Sequence, residues 1–106
     1  NDMEALGKKN RVHACGRFDT AAGAIQNAGS GNWSVANVAA GIADITLQDP
    51  IDATERQVFV TSRTQSVMVS VIPASDTDTN VRVHAENDLS ADTNTLLDFL
   101  VLRSAG

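Results

Sequence analysis

The chain has 106 residues, 42% of them hydrophobic and 20% charged, and eight Lys and Arg against thirteen Asp and Glu give a formal net charge of -5. That length supports one core and one domain. A single Cys excludes an internal disulfide and a cysteine-built zinc cage, and the acidic balance argues against nucleic acid, which is gripped by clustered Lys and Arg. No apolar run approaches the ~20 residues of a membrane-spanning helix, so no membrane insertion is expected.

Residues 1–9 read as a linker or lead-in from a preceding segment, with Met3 and Leu6 able to share one side of a single helical turn. The chain opens on Asn1-Asp2 rather than Met, as a processed chain or part of a longer one would, and carries no charged-then-apolar signal segment. Residues 10–106 form the predicted folded domain. Ser, Thr, Asn and Asp make up about a third of the sequence. These types favour turns and strand surfaces over helix interiors.

Apolar residues recur with a period of two, which places them on one face of a sheet. Val12, Ala14, Gly16 and Phe18 alternate with Arg11, His13, Cys15 and Arg17. A further strand is expected over Trp33 to Val38. Ala43, Ile45 and Leu47 come next, then Val58 and Val60, then Val67, Val69 and Val71, then Val81, Val83 and Ala85, and last Leu97, Phe99 and Val101. The pattern predicts an all-β fold of six to seven short strands. Residues 91–96 read as a turn, because Asp92, Thr93 and Asn94 interrupt the helix formers.

Two segments are apolar on both faces. Met68 and Ile72 oppose the valines of residues 66–72, and Leu96, Leu100 and Leu102 oppose Leu97, Phe99 and Val101. A strand buried on both faces needs a second cover. With little chain left to supply it, the expected cover is another copy of the chain. If seven strands alternate in direction, loops 19–32, 48–56 and 73–78 gather at the end away from the start of the first strand. An eighth strand at 24–28 would reverse that assignment. Long polar loops on a rigid scaffold are where binding resides. The candidate receptor contacts are therefore Asn32, Trp33, Asp52, Arg56, Asp76 and Asp78. Trp33, after a Gly-rich stretch, suits stacking on a sugar or anchoring the core, with the core reading favoured.

Residues 76–80 offer oxygen ligands at alternate places, like the opening of a calcium loop. The Gly and Glu that an EF-hand places sixth and twelfth are Val81 and Asn87 here, so a polar turn is expected instead. His13, His84 and Cys15 are the soft metal ligands and lie at no recognised ligand spacing, although a threefold axis would bring copies of one His together. No metal or cofactor is expected. No nucleophile, base and acid stand at telling positions, so no catalysis is expected either.

The order of the pieces carries a resemblance. Residues 14–19, ending in Phe18-Asp19, lead to Gly23-Ala24-Ile25. The strand 41–47 opens on Gly41 and is followed by Pro50, Ala53 and Val58-Phe59-Val60. The chain closes with Val81-Arg82-Val83, Asn87-Asp88 and Phe99-Leu100-Val101-Leu102-Arg103. This succession resembles the C-terminal β-sandwich module of tailed-phage fibre and spike proteins over about residues 10–103. Positions usually aromatic there are Ala43, Leu47 and Gln57 here, so the match lies in pattern more than in identity. The resemblance implies a small antiparallel β-sandwich, assembled as a trimer similar to the H-type lectin sandwich. It also implies an external virion protein that attaches to a host-surface glycan or protein and joins other virion proteins through its N-terminal end. It supplies no binding residues. A capsid or tail decoration protein is the alternative expectation, and a bacterial lectin or fibre hydrolase a third.

Overall fold

The computed structural model describes residues 10–21, 23–73, 76–89 and 91–104. The predicted lead-in, residues 1–9, lies outside them. Among the described residues, eight strands form two four-stranded antiparallel sheets. The strands are β1 (Asn10–Asp19), β2 (Ala24–Asn27), β3 (Trp33–Ala39), β4 (Ile42–Leu47), β5 (Arg56–Ser62), β6 (Val67–Val71), β7 (Asn80–Asn87) and β8 (Leu96–Ser104), with one 3-10 turn over Ala53–Glu55. Sheet A has the order β2-β1-β8-β5 and sheet B the order β3-β4-β7-β6. The fold is therefore all-β, as the alternation predicts, and consistent with a small β-sandwich.

The inward faces are those that the period-two pattern marks. Phe18, Leu97, Phe99 and Val101 from sheet A meet Ile45, Leu47, Val81 and Val83 from sheet B, all buried. Trp33 joins them from sheet B. Its ring lies 4.7 Å from Phe99 at 87° and 5.9 Å from Phe18. Edge-to-face pairs of this kind add about 0.5–1.5 kcal/mol each beyond area burial. Gly16 is what lets the indole lie against β1, since a Cβ there would run into Trp33 Cζ2 and come within 2.9 Å of the Asn27 carbonyl.

Two departures from the expected pattern have local causes. Val12 does not face inward with Ala14. The β1–β8 register shifts between them, so Val12 opposes Leu102 while Ala14 opposes Val101. The bulge at His13 turns Val12 outward, 57% exposed, while Ala14 is fully buried. The second departure is β2, a four-residue strand exposed along its whole length. It pairs with β1 through Phe18 and Ile25 and reverses the chain inside the stretch expected to be one loop.

That reversal corrects the predicted placement of the loops. The connections after β2, β4 and β6 do gather at one end. Gln48 N donates to Asn32 O at 2.9 Å, Ile51 N to Asp78 O at 2.9 Å, and His13 Nε2 lies 2.8 Å from Asp49 O. It is the end at which β1 begins and β8 finishes, paired as Asn10 with Ser104, not the opposite one.

The opposite end is closed by hydroxyl and amide groups. Buried Thr20 and Thr95 exchange bonds, Thr20 N to Thr95 O and Thr95 N to Thr20 Oγ1, each at 3.0 Å. Thr95 Oγ1 also meets Ser62 Oγ at 2.9 Å and Thr64 Oγ1 at 2.7 Å. Gly41, at φ 74, comes close enough for its N–H to donate to Asn94 Oδ1 at 2.8 Å and its carbonyl to accept from Ala85 N at 2.7 Å. These bonds satisfy backbone groups that would otherwise be buried alone.

Candidate functional site

All six candidate contact residues fall at the end that holds the β2–β3, β4–β5 and β6–β7 connections, but they take different roles. Arg56 occupies the inward parity of β5, ahead of Val58 and Val60, and its side chain is 1% exposed. Its guanidinium donates to Thr77 O at 2.7 Å, Asn80 O at 3.0 Å and Ile51 O at 3.4 Å. Asp76 Oδ1 lies 3.6 Å away, an ion-pair distance rather than a hydrogen-bond length. Arg56 thus pins the β4–β5 and β6–β7 connections together and offers nothing to a ligand in solution.

Trp33 is likewise internal, 8% exposed, with Nε1 donating to Ala28 O at 2.8 Å. Of its two expected uses, stacking and anchoring, the structure gives it the second. Asn32 fastens the turn before β3, donating from Nδ2 to His13 O at 2.8 Å and accepting from Ser30 Oγ at 2.6 Å. Asp52 is exposed and caps the 3-10 turn, accepting from Thr54 N at 2.9 Å and Thr54 Oγ1 at 2.8 Å. Asp78 is exposed. The polar run after Asp76 is a turn, as expected, in which Thr77 Oγ1 accepts from Asn80 N at 3.0 Å.

Beside these loops, on sheet B, lies a shallow cavity of about 220 Å³ lined by Gly31, Trp33, Ser34, Thr46 and Gln48. Ser34 and Thr46 are register partners on β3 and β4, and both are exposed. The lining is uncharged: two hydroxyls, one amide and the rim of an indole. Those groups suit a neutral polyhydroxylated ligand. Sequence reasoning found Trp33 but missed Ser34, Thr46 and Gln48, because they become neighbours only when β3 pairs with β4.

The outer face of sheet A is the second feature. In one cross-strand row Cys15, Leu100 and Phe59 are partners; in the next stand Val12, Leu102 and Gln57. Phe59 is 52% exposed, and Leu100 and Leu102 are half-buried. Sheet faces that meet water are normally polar. The adjoining row is charged. Arg17 Nε donates to Asp98 Oδ1 at 2.7 Å and Arg63 Nη1 to Asp98 Oδ2 at 3.2 Å.

These ion pairs give the protein an acid-sensitive component. Arg17, then Arg63, holds the Asp98 carboxyl below its usual 3.8, against the opposing effect of burial. Arg82, bonded to Asp44 at 2.8 and 3.0 Å, does the same for Asp44. The Thr54 backbone N–H lowers Asp52. A carboxyl with a depressed folded value contributes stability that is whole above the unfolded value and is lost as pH falls through the folded one. The contribution of these carboxyls to the urea midpoint is therefore expected to hold steady from neutral pH down to about pH 5. Below 3.8 it should fall, and Asp98→Asn should make that fall shallower. A midpoint unchanged down to about pH 2 would contradict this assignment.

His84 supplies the remaining cluster. Its Nε2 lies 2.6 Å from Asp92 Oδ1 and its Nδ1 3.3 Å from Glu86 Oε1. The sequence groups His84 with His13 and Cys15 as soft ligands and gives no sign of its neighbours Glu86 and Asp92.

No protein-family model, curated protein or solved structure matches this chain.

Proposed function

We propose that this chain is a non-catalytic attachment module of a tailed-phage fibre or spike. In this reading it assembles as a homotrimer on the outside of the virion, joins other virion proteins through its N-terminal end, and holds a host-surface glycan. The observation that carries the reading is the apolar outer face of sheet A. Val12, Cys15, Phe59, Leu100 and Leu102 stand in adjacent rows there, at a place where a solitary sandwich would show polar residues. Covering that face with further copies of the chain supplies the burial that so short a chain lacks. The virion setting rests on the resemblance of the order of its sequence pieces to that of fibre sandwiches.

The glycan part rests on the cavity of Gly31, Trp33, Ser34, Thr46 and Gln48. Its hydroxyls and amide offer both donors and acceptors, as sugar hydroxyls require. Three copies would raise weak single-site affinity through effective concentration. The test is binding of the full chain to a panel of bacterial surface polysaccharides, with Ser34→Ala/Gln48→Ala beside it. The expected result is retention on one polysaccharide class, reduced at least tenfold in the double variant. Equal retention of both proteins, or none on any polysaccharide or intact cell, would overturn the attachment reading.

The same apolar face favours a second reading, a capsid or tail decoration protein that seats it on a shell rather than on its own copies. Exchanging Phe59 for Asp separates the two. It should leave a trimeric fibre module monomeric in solution, whereas a decoration protein would be a monomer already and lose only its hold on the shell.

A further inference from the structure

The imidazole of His84 faces a carboxylate at each nitrogen. A neutral imidazole carries one N–H and one lone pair, so it can donate to only one of them. Asp92 Oδ1 is a carboxylate oxygen that only accepts, so its 2.6 Å contact with Nε2 is a hydrogen bond when the hydrogen is on Nε2. With the hydrogen on Nε2, Nδ1 is a bare acceptor 3.3 Å from Glu86 Oε1, and two acceptors that close repel unless something positive lies between them. A bound cation would satisfy it.

The spacing matches a cation. Tetrahedral zinc bonds to nitrogen and oxygen at about 2.0–2.1 Å, which sets two of its ligand atoms about 3.3 Å apart. We propose that His84 Nδ1 and the Glu86 carboxylate hold a divalent transition-metal ion of the zinc class, with Asp92 as the positioning residue that keeps the hydrogen on Nε2.

The fold builds this arrangement from both sides. His84 and Glu86 are two residues apart on β7 and share its outer face. Asp92 returns to them through a turn in which Asn87 Oδ1 accepts from Leu89 N at 2.9 Å and Ala91 N at 3.1 Å, and it forms a single bridge with Glu86. Hydrogen bonding of a metal-bound imidazole to a second carboxylate fixes its tautomer and raises its basicity. The metal side opens on a cavity of about 230 Å³ lined by Met68, Val69, Ser70, His84 and Glu86. It has room for the two waters that, with Nδ1 and one Glu86 oxygen, complete a four-coordinate shell. One ligand atom from each of His84, Glu86 and Asp92 lies within 4.8 Å of the others. This inference is independent of the attachment reading.

The test is calorimetric titration of the chelator-stripped full chain with zinc, followed by nitrogen-detected NMR of the imidazole. One ion per chain is expected, with the His84 Nδ1 resonance moving on zinc addition and Nε2 remaining protonated. His84→Ala should weaken binding at least tenfold, and Glu86→Gln similarly. Asp92→Asn should weaken it by about 10-fold, the low end for an outer-shell carboxylate, and should redistribute the free-state tautomers. His13→Ala should leave binding unchanged. Equal zinc uptake by the wild type and the Glu86→Gln chain would overturn the site. So would an imidazole that keeps both nitrogens protonated under saturating zinc at neutral pH. Glu86 and Asp92 are surface residues, so their variants decide the matter even where His84→Ala does not fold.

Discussion

Arg56→Met is expected to lower the unfolding free energy by about 3–5 kcal/mol, the usual consequence of removing one partner from a buried charge network. Met keeps most of the volume, so the loss isolates the polar role. Without the guanidinium, the carbonyls of Ile51, Thr77 and Asn80 lose a shared donor. Asp76, whose side chain is 20% exposed, faces a thioether instead of a cation. Each orphaned polar group costs about 1–3 kcal/mol when buried. Arg56→Lys should rescue little, because one ammonium cannot reproduce a planar fork that spans two connections. Asp76→Asn should cost less than either, since it leaves the carbonyl bonds intact. Urea melts would read this as a lower midpoint with an unchanged slope. A change under about 1 kcal/mol would show that water replaces the guanidinium, and would end the claim that Arg56 pins the two connections.

Trp33→Ala is the second large effect, expected at about 3–5 kcal/mol from the cavity left in the core. The ring touches both sheets, edge-on to Phe99 and tilted against Phe18, and its N–H is bonded to Ala28 O. Trp33→Phe should recover part of the loss by keeping ring contacts without the hydrogen bond. Gly16→Val should damage the same place from the other strand, because its Cβ would occupy the position of the indole edge. Trp33 is the only Trp, so fluorescence reports on it alone. Blue-shifted emission that resists aqueous quenchers is expected. Emission like that of a free indole would return Trp33 to the surface and restore it as a stacking residue.

The core was the legible part of the molecule. Ile45, Leu47, Val81, Val83, Leu97, Phe99 and Val101 declare their faces by alternation alone, and each is buried. Strand β2 was not legible, because Ala24 to Asn27 are all exposed and a strand without a buried face leaves no periodic trace. The bulge at His13 was hidden for another reason: it is a relation between β1 and β8, residues about ninety positions apart in sequence, and not a property of either.

The placement of the candidate site depends on β2 and on partners distant in sequence. The missed strand moved the long connections to the end where β1 begins. Arg56 reads as a surface charge by residue type, but it shares parity with Val58 and Val60 and so points inward. Arg17 and Asp98 pair across 81 residues, and Asp92 reaches His84 only through a turn. Composition announces such groups but not their partners. The two-sided apolar character of Leu96 to Leu102 was legible, and the outer face of sheet A now gives that character neighbours in Phe59, Cys15 and the displaced Val12.

Multi-angle light scattering on the full chain, with Phe59→Asp/Leu100→Asp measured alongside, tests the central claim most directly. The account predicts a wild-type mass of three chains of 11.2 kDa each and a folded monomer for the double variant. A wild-type monomer at micromolar concentration, or a trimer that survives both substitutions, would contradict it.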